Sequence, residues 1–285
     1  MTPQVRPAPP RPNISRSSDA KQSLALVLGA TGGLGQAYCH ALARRNLDLI
    51  LSGRNTLMLE KLRTELVAEY DVNVTTHVAD LSVETDLQGV LHLIQNNEKL
   101  DWLINAAGLA QWGQFRELPS DNEQAMFQIN LLTPLRLVRA AIEAFDSRGG
   151  GKVVHIASAA AFFTVPFLSG YCASKTAIVQ WLRSIRHEFG GKKIYLQALC
   201  PGFVKTDMFA KAGASADKLP RWIWMSPERV VRESLRSLDC GRTVCVPGRR
   251  YRIMIFGLKW VPSTISVRVA AWMFGDFAKY RIPLS

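Results

Sequence analysis

From Ser23 onward, short apolar runs alternate with longer stretches whose apolar positions recur every three to four residues. Leu24–Leu28 reads as a buried strand, the glycine-rich segment Gly29–Gly35 follows, and a helix is predicted over Gln36–Arg45. Leu47–Leu51 reads as a second strand and a charged stretch predicts a helix over Asn55–Tyr70. A third strand over Val72–Val78 precedes a helix over Glu84–Asn96. Leu100–Ile104 and Val153–Ala157 are further strands, separated by a long helical stretch around Asn122–Phe145. Thr176–Phe189 reads as helix and Ile194–Leu199 as another strand. Continuous apolar runs, rather than alternating ones, belong to strands buried on both faces. Strands alternating with helices therefore predict an α/β fold: a doubly wound parallel sheet with helices on both faces, as a single domain over residues 23–248. In such sheets ligands gather outside the carboxyl ends of the strands.

Composition sharpens this picture. Of 285 residues, 48% are hydrophobic and 20% charged, which suits a globular chain. Residues 1–22 are rich in Pro, Ser and Arg and are expected to be disordered. The first 12 residues hold five Pro and lack the apolar core of a secretory leader. Five Cys, at 39, 172, 200, 240 and 245, form no C-x-x-C pair and no zinc-finger spacing. Together these features predict reduced thiols and a cytoplasmic setting.

The net charge of +12 raises nucleic acid as a partner, but its distribution argues against one. Residues 24–217 carry 18 basic and 18 acidic side chains, whereas residues 218–285 carry 13 and four. The body is neutral and the basicity lies in the tails, with no nucleic-acid-binding motif beside it. The five His lack metal-ligand spacing, so no metal is expected, and His155 in mid-strand reads as a packing residue.

The strand-to-helix connection Leu26-Val-Leu-Gly-Ala-Thr-Gly-Gly-Leu-Gly35 carries the first chemistry. Glycines there let a phosphate approach the backbone, and the helix start offers free N–H groups and a positive dipole end. Gly29, Thr31, Gly33, Leu34 and Gly35 are therefore candidate cofactor contacts. Two spacings fit, Gly29-x3-Gly33-x-Gly35 and Gly29-x2-Gly32-x2-Gly35. At the end of the second strand no acid stands between Asp48 and Glu60, and Arg54 occupies the place of a ribose-binding carboxylate. A guanidinium there pairs with a 2′-phosphate, which predicts NADPH rather than NADH, with Ser52 and Asn55 as neutral helpers. Asp80 and Leu81 end the third strand, where the Asp80 carboxylate can accept from an adenine amino group and Ser82 is the expected helix cap. Asn105, Ala106, Ala107 and Gly108 end the fourth strand; their small side chains let a cofactor lie against the sheet edge, and Asn105 can brace the backbone.

Tyr171 and Lys175 stand four residues apart, on one face of a helix. An ammonium beside a phenol is expected to lower the phenol's pKa toward neutrality, so that Tyr171 exchanges a proton with a carbonyl oxygen while hydride moves at carbon. Ser158, at the tip of the fifth strand, is placed to hydrogen-bond that carbonyl. Ser169 and Ser174 are poorer candidates, since neither ends a strand. Asn130, in an otherwise apolar helical run, reads either as a satisfied core amide or as the holder of a relay water beside Lys175.

Together these residues resemble the short-chain dehydrogenase/reductase family over roughly residues 23–250. The glycine turn, Asn105–Gly108, the Asn130/Ser158/Tyr171/Lys175 tetrad and Pro201-Gly202 map onto that family's recurrent elements, whose fold is Rossmann-type. The resemblance favours the branch with Gly-x3-Gly-x-Gly. It implies that Pro201, Gly202, Val204 and Thr206 line the nicotinamide carboxamide. Leu28 departs from it, standing where the family usually has Thr.

The resemblance also places substrate specificity after Pro201, where Met208–Ser215 and Leu219–Met225 suggest a lid over an apolar substrate. Residues 249–285 form a basic C-terminal extension with an amphipathic stretch from Pro262 to about Tyr280, a candidate for peripheral membrane contact, for packing on its own domain or for a homo-oligomer interface. The resulting expectation is an NADPH-dependent reductase of a lipophilic small-molecule ketone or aldehyde, cytoplasmic or membrane-associated. The rival readings are a non-catalytic NADPH-binding regulator and a peripheral membrane protein.

Overall fold

The computed structural model describes residues 23–189, 193–206, 220–258, 260 and 261. The expected tail over 1–22, the Met208–Ser215 part of the lid and the stretch from Pro262 to Tyr280 lie outside the described residues.

Seven parallel strands form one sheet in the order β3-β2-β1-β4-β5-β6-β7. They are β1 (Leu24–Leu28), β2 (Asp48–Gly53), β3 (Val74–Val78), β4 (Leu100–Asn105), β5 (Gly151–Ile156), β6 (Ile194–Leu199) and the short β7 (Val244–Cys245). The expected start of the third strand moves from Val72 to Val74, because the Asn73 N–H donates to the Asp48 carboxylate at 2.8 Å. Strand β7 has two residues, too few to show a pattern in the sequence.

Alternation along β1 sets the layers. Ala25 and Val27 join a core built with α1 (Gly33–Ala43), α2 (Thr56–Glu69) and α7 (Pro227–Asp239), while Leu26 and Leu28 join the opposite core. That second core takes in α3 (Glu84–Asn96), α5 (Thr133–Ser147) and α6 (Ser169–Glu188). Each buried Leu or Val contributes about 1.5–3 kcal/mol of transfer free energy. A buried chain of hydrogen bonds stitches the first face: Tyr38 Oη meets Ser234 Oγ at 2.6 Å, and Ser234 Oγ donates to Gln197 Oε1.

The helix expected over Asn122–Phe145 is three pieces. α4 (Ser120–Phe127) runs into a π-helical turn (Gln128–Leu132), and α5 restarts with Pro134 in its first turn. A π turn adds a residue and shifts the faces of the two flanking helices relative to each other, an irregularity common at functional sites. α6 begins at Ser169, seven residues before Thr176, so Tyr171 and Lys175 share its first turns. The final helix among the described residues, α8 (Arg249–Leu258), starts the C-terminal extension.

Candidate active site

The carboxyl ends of β1, β4, β5 and β6 converge on one region. After β1 the chain turns through Gly29, whose φ of +70° suits glycine, and a methyl there would fall 2.8 Å from Ala107 N. Gly33 and Gly35 are equally crowded, Gly33 against Thr206 and Gly35 against the Gly29 carbonyl, whereas Gly32 has ordinary room at 3.4 Å. The Gly29-x3-Gly33-x-Gly35 spacing is thus the one that crowding enforces. The N-cap of α1 is Gly32, with no side-chain cap, in contrast to α2, where Asn55 Oδ1 accepts from Met58 N at 3.0 Å. The exposed start of α1 keeps its first N–H groups free of side-chain partners, as anion binding requires. Thr31 and Leu34 flank this turn, half-buried.

Arg54 is 72% exposed at the end of β2, with Nη1 3.8 Å from Asp80 Oδ2. Of the two helpers expected beside it, Ser52 is buried within β2, while Asn55 is exposed and caps α2 through its Oδ1, an acceptor role distinct from the Nδ2 donor a phosphate would use. Asp80 also corrects the expected cap, because Ser82 turns back and donates its N–H (2.9 Å) and its hydroxyl (2.6 Å) to Asp80 Oδ1, leaving α3 capped by Val83 without a side-chain bond. Burial works to raise the Asp80 pKa, but the Ser82 hydrogen bonds and the Arg54 charge outweigh it and hold the carboxyl below its usual range. Leu81 beside it is buried. Asn105 is buried at the tip of β4 and braces the next turn, its Oδ1 accepting from Ala107 N at 3.2 Å, while Ala106 N bonds Leu28 O at 2.9 Å.

Ser158 follows β5 as the N-cap of a 3-10 turn (Ala159–Phe162), with Oγ accepting from Ala160 N at 3.1 Å. It also hydrogen-bonds the Tyr171 phenol, and that bond lowers the phenol's pKa. Lys175 is buried; its Nζ donates to Ile156 O at 3.1 Å and lies 5.7 Å from the centre of the Tyr171 ring. Burial opposes the acidification that the helical spacing leads one to expect. Burial dominates both groups, pushing the Tyr171 phenol up to about 12 and the Lys175 ammonium down to about 8. With the Lys175 head turned to a β5 carbonyl, Ser158 is the neighbour that acts to acidify the phenol.

Asn130 sits in the π turn, fully buried. Its amide clamps Leu109: Oδ1 accepts from Leu109 N at 2.9 Å and Nδ2 donates to Leu109 O at 2.8 Å. Nδ2 also reaches Ser174 Oγ at 3.4 Å, and that hydroxyl donates to Tyr171 O at 2.8 Å. Both ends of the amide are occupied by protein, so the satisfied-amide reading describes the side chain. Gly108 lies between Asn130 and Lys175, since a methyl on it would sit 3.3 Å from Asn130 Oδ1 and 3.5 Å from Lys175 Nζ. Ser174 was passed over in the sequence because it ends no strand; the available signal was its position three residues after Tyr171, where a helical hydroxyl reaches back to a carbonyl.

After β6 the chain passes Pro201 and Gly202, and Val204 pairs with Met225 in an isolated parallel bridge. Pro201 O accepts from Ala159 N at 2.8 Å, linking this loop to the Ser158 turn. Its far end, Thr206, rests on Gly33 of the glycine turn. His155, on β5, is buried and neutral, its pKa lowered by burial and by Lys175. Cys39, Cys172, Cys200 and Cys245 are buried free thiols, Cys240 an exposed one. Among the described residues no cluster of His, Cys, Asp and Glu is arranged to hold a metal.

Known proteins share this fold. The model of a family described as short chain dehydrogenase matches residues 23–217. The chain is 28% identical over 217 residues to the 3-oxoacyl-(acyl-carrier-protein) reductase FabG of Rickettsia bellii, covering 74% of this chain and 87% of that protein. It is 27% identical over 229 residues to the very-long-chain 3-oxoacyl-CoA reductase of Anas platyrhynchos, covering 78% and 72%. Among solved structures, a short-chain dehydrogenase from Sphingobium yanoikuyae in complex with NADPH matches with a TM-score of 0.78 at 26% identity, over 92% of this chain and 98% of that one.

Proposed function

The chain belongs to the short-chain dehydrogenase family of oxidoreductases, and on that premise we propose that it reduces a lipophilic ketone or aldehyde to the alcohol with NADPH. The observation that carries this reading is the meeting of Ser158, Tyr171 and Lys175 at the end of β5, beside an uncapped helix start.

The residues present fit a phosphorylated dinucleotide. Gly29, Thr31, Gly33, Leu34 and Gly35 would receive the pyrophosphate at the start of α1, and Arg54 the 2′-phosphate. Asp80 and Leu81 would flank the adenine, and Asn105, Ala106, Ala107 and Gly108 its ribose. Tyr171 and Lys175 would meet the nicotinamide ribose, and Pro201, Gly202, Val204 and Thr206 the carboxamide. Bound there, NADPH supplies a hydride to the carbonyl carbon.

The chain's own groups handle the proton. Ser158 Oγ orients the carbonyl oxygen, and the Tyr171 phenol, kept protonated by burial, donates to that oxygen as it gains charge. Lys175 holds ribose and shares the phenol's surroundings, while Asn130 fixes the backbone at Leu109. NADPH consumption across acyl, steroid-like and quinone carbonyls tests the assignment; tight NADPH binding with no turnover of any of them would favour a non-catalytic regulator instead.

For the extension we propose contact with an anionic bilayer. Ile253, Phe256 and Trp260 are exposed along α8 and just beyond it, with Arg249, Arg250 and Arg252 alongside and Arg250 stacked on the exposed Trp222 ring. Apolar side chains flanked by arginines suit a lipid headgroup boundary. Co-sedimentation with phosphatidylglycerol vesicles, weakened by Phe256→Ser and absent with phosphatidylcholine, is the expected result; no sedimentation of the wild type overturns it.

A further inference from the structure

Tyr251, in the first turn of α8, is buried although its helix is basic and largely exposed. Gly248, with φ +82°, turns the chain so that the Tyr251 ring enters the molecule. The ring lies against Gly202, where any side chain would overlap it. Its hydroxyl accepts from Phe203 N at 2.9 Å and donates to Ile223 O at 2.7 Å. One phenol oxygen thus joins two segments far apart in sequence, Pro201–Thr206 and Arg221–Met225. The two segments meet again directly, with Lys205 N on Met225 O (3.0 Å) and Met225 N on Phe203 O (2.9 Å). Arg250 repeats the connection at the surface, stacking 5.5 Å from the Trp222 ring and donating to Trp222 O at 3.3 Å.

We propose that Tyr251 is a positioning residue for the nicotinamide half of the cofactor: it fixes Phe203, and through it the arch that carries Thr206 onto Gly33. The inference rests on the proposed reading that Pro201–Thr206 receives the carboxamide. A group that accepts from one backbone and donates to another is needed here, and a neutral phenol supplies both. Burial pushes the Tyr251 phenol upward in pKa, so it stays neutral and keeps its donor. Phenylalanine fills the same space and supplies neither, so the bonds from Phe203 N–H and to Ile223 C=O are both lost. The C-terminal extension, by this argument, begins as part of the cofactor site.

The test compares wild type with Tyr251→Phe in the full chain. Dissociation constants are measured for NADPH and for 2′-phospho-ADP-ribose, which has the adenine half and lacks nicotinamide. The expected result is roughly tenfold weaker NADPH binding with 2′-phospho-ADP-ribose unchanged, the size of one to two lost backbone hydrogen bonds. Equal loss for both ligands, or no loss for either, overturns the proposal. Amide hydrogen exchange of Phe203–Thr206 in the ligand-free protein gives a second readout, expected to quicken in the variant while β5 exchange stays constant. Unchanged exchange overturns the proposal even if NADPH turns out not to be the ligand, whereas failure of the wild type to bind NADPH with quickened exchange overturns the cofactor reading alone.

Discussion

Thr206 closes over Gly33: a methyl group on that glycine would come to rest 2.5 Å from Thr206 Cγ2. The start of α1 and the end of the loop leaving β6 therefore fix each other's position, although they belong to opposite halves of the sheet. Gly33→Ala should push Thr206 away and crowd the phosphate site together, while the exposed turn leaves the core intact. We expect at least tenfold weaker NADPH binding with a melting temperature close to wild type, read by cofactor fluorescence titration and thermal unfolding.

Tyr171→Phe removes the proton donor and keeps the ring. Carbonyl reduction should fall by about 10²–10⁴-fold, the usual contribution of a general acid, a far larger loss than that of NADPH affinity, which gives up only the phenol's contact with ribose. Wild-type rates from the variant in a stopped-flow NADPH oxidation assay would refute the role assigned to this phenol.

Arg54 is exposed and its contact with Asp80 is long, so replacing it should leave stability alone. Arg54→Ala should raise the KM for NADPH by about tenfold or more, the value of a lost charge-assisted hydrogen bond, and leave the KM for NADH in place. Parallel kinetics with the two cofactors measure the ratio.

Asn130→Ala strips Leu109, an exposed residue, of both its hydrogen bonds to the buried amide. The two lost bonds should cost about 1–3 kcal/mol, visible as a lower urea midpoint with an unchanged slope.

Lys175 gives a pH dependence of definite sign. Its folded pKa is lowered by burial to about 8 from 10.5, so between those values the unfolded chain binds the additional proton. Stability attributable to this residue therefore rises with pH across that window and is flat above it. Thermal unfolding of wild type and Lys175→Met at pH 7.5 and 10 should show the wild type gaining on the variant as pH increases.

The sheet was legible where its strands are buried on both faces and so read as unbroken apolar runs, Leu24–Leu28 above all, and less so at the half-exposed edge strand β3. Glycine crowding was legible as composition, but the choice between two spacings needed the Thr206 and Gly29 contacts, which join distant segments. The π turn at Asn130 escaped because its apolar periodicity looks helical throughout; the additional residue changes hydrogen-bond register, not polarity. The surroundings of the Tyr171 phenol are not legible in the sequence, for a physical reason. Helical spacing put Lys175 nearby, but spacing carries no desolvation, and the Lys175 head found a carbonyl instead. Tyr251 was hidden in a run of arginines, where nothing local distinguishes an inward ring from an outward one.

The earliest strand of the sheet to be synthesised, β1, ends up between β2 and β4. A nascent chain that has emerged only as far as β3 can close just one side of it. The other edge stays open, with unpaired backbone groups, until Leu100–Asn105 arrives. On the ribosome, then, this protein passes through an interval in which its most apolar strand is half-matched, and escort by a chaperone over that interval would matter more than for a fold whose first hairpin completes itself.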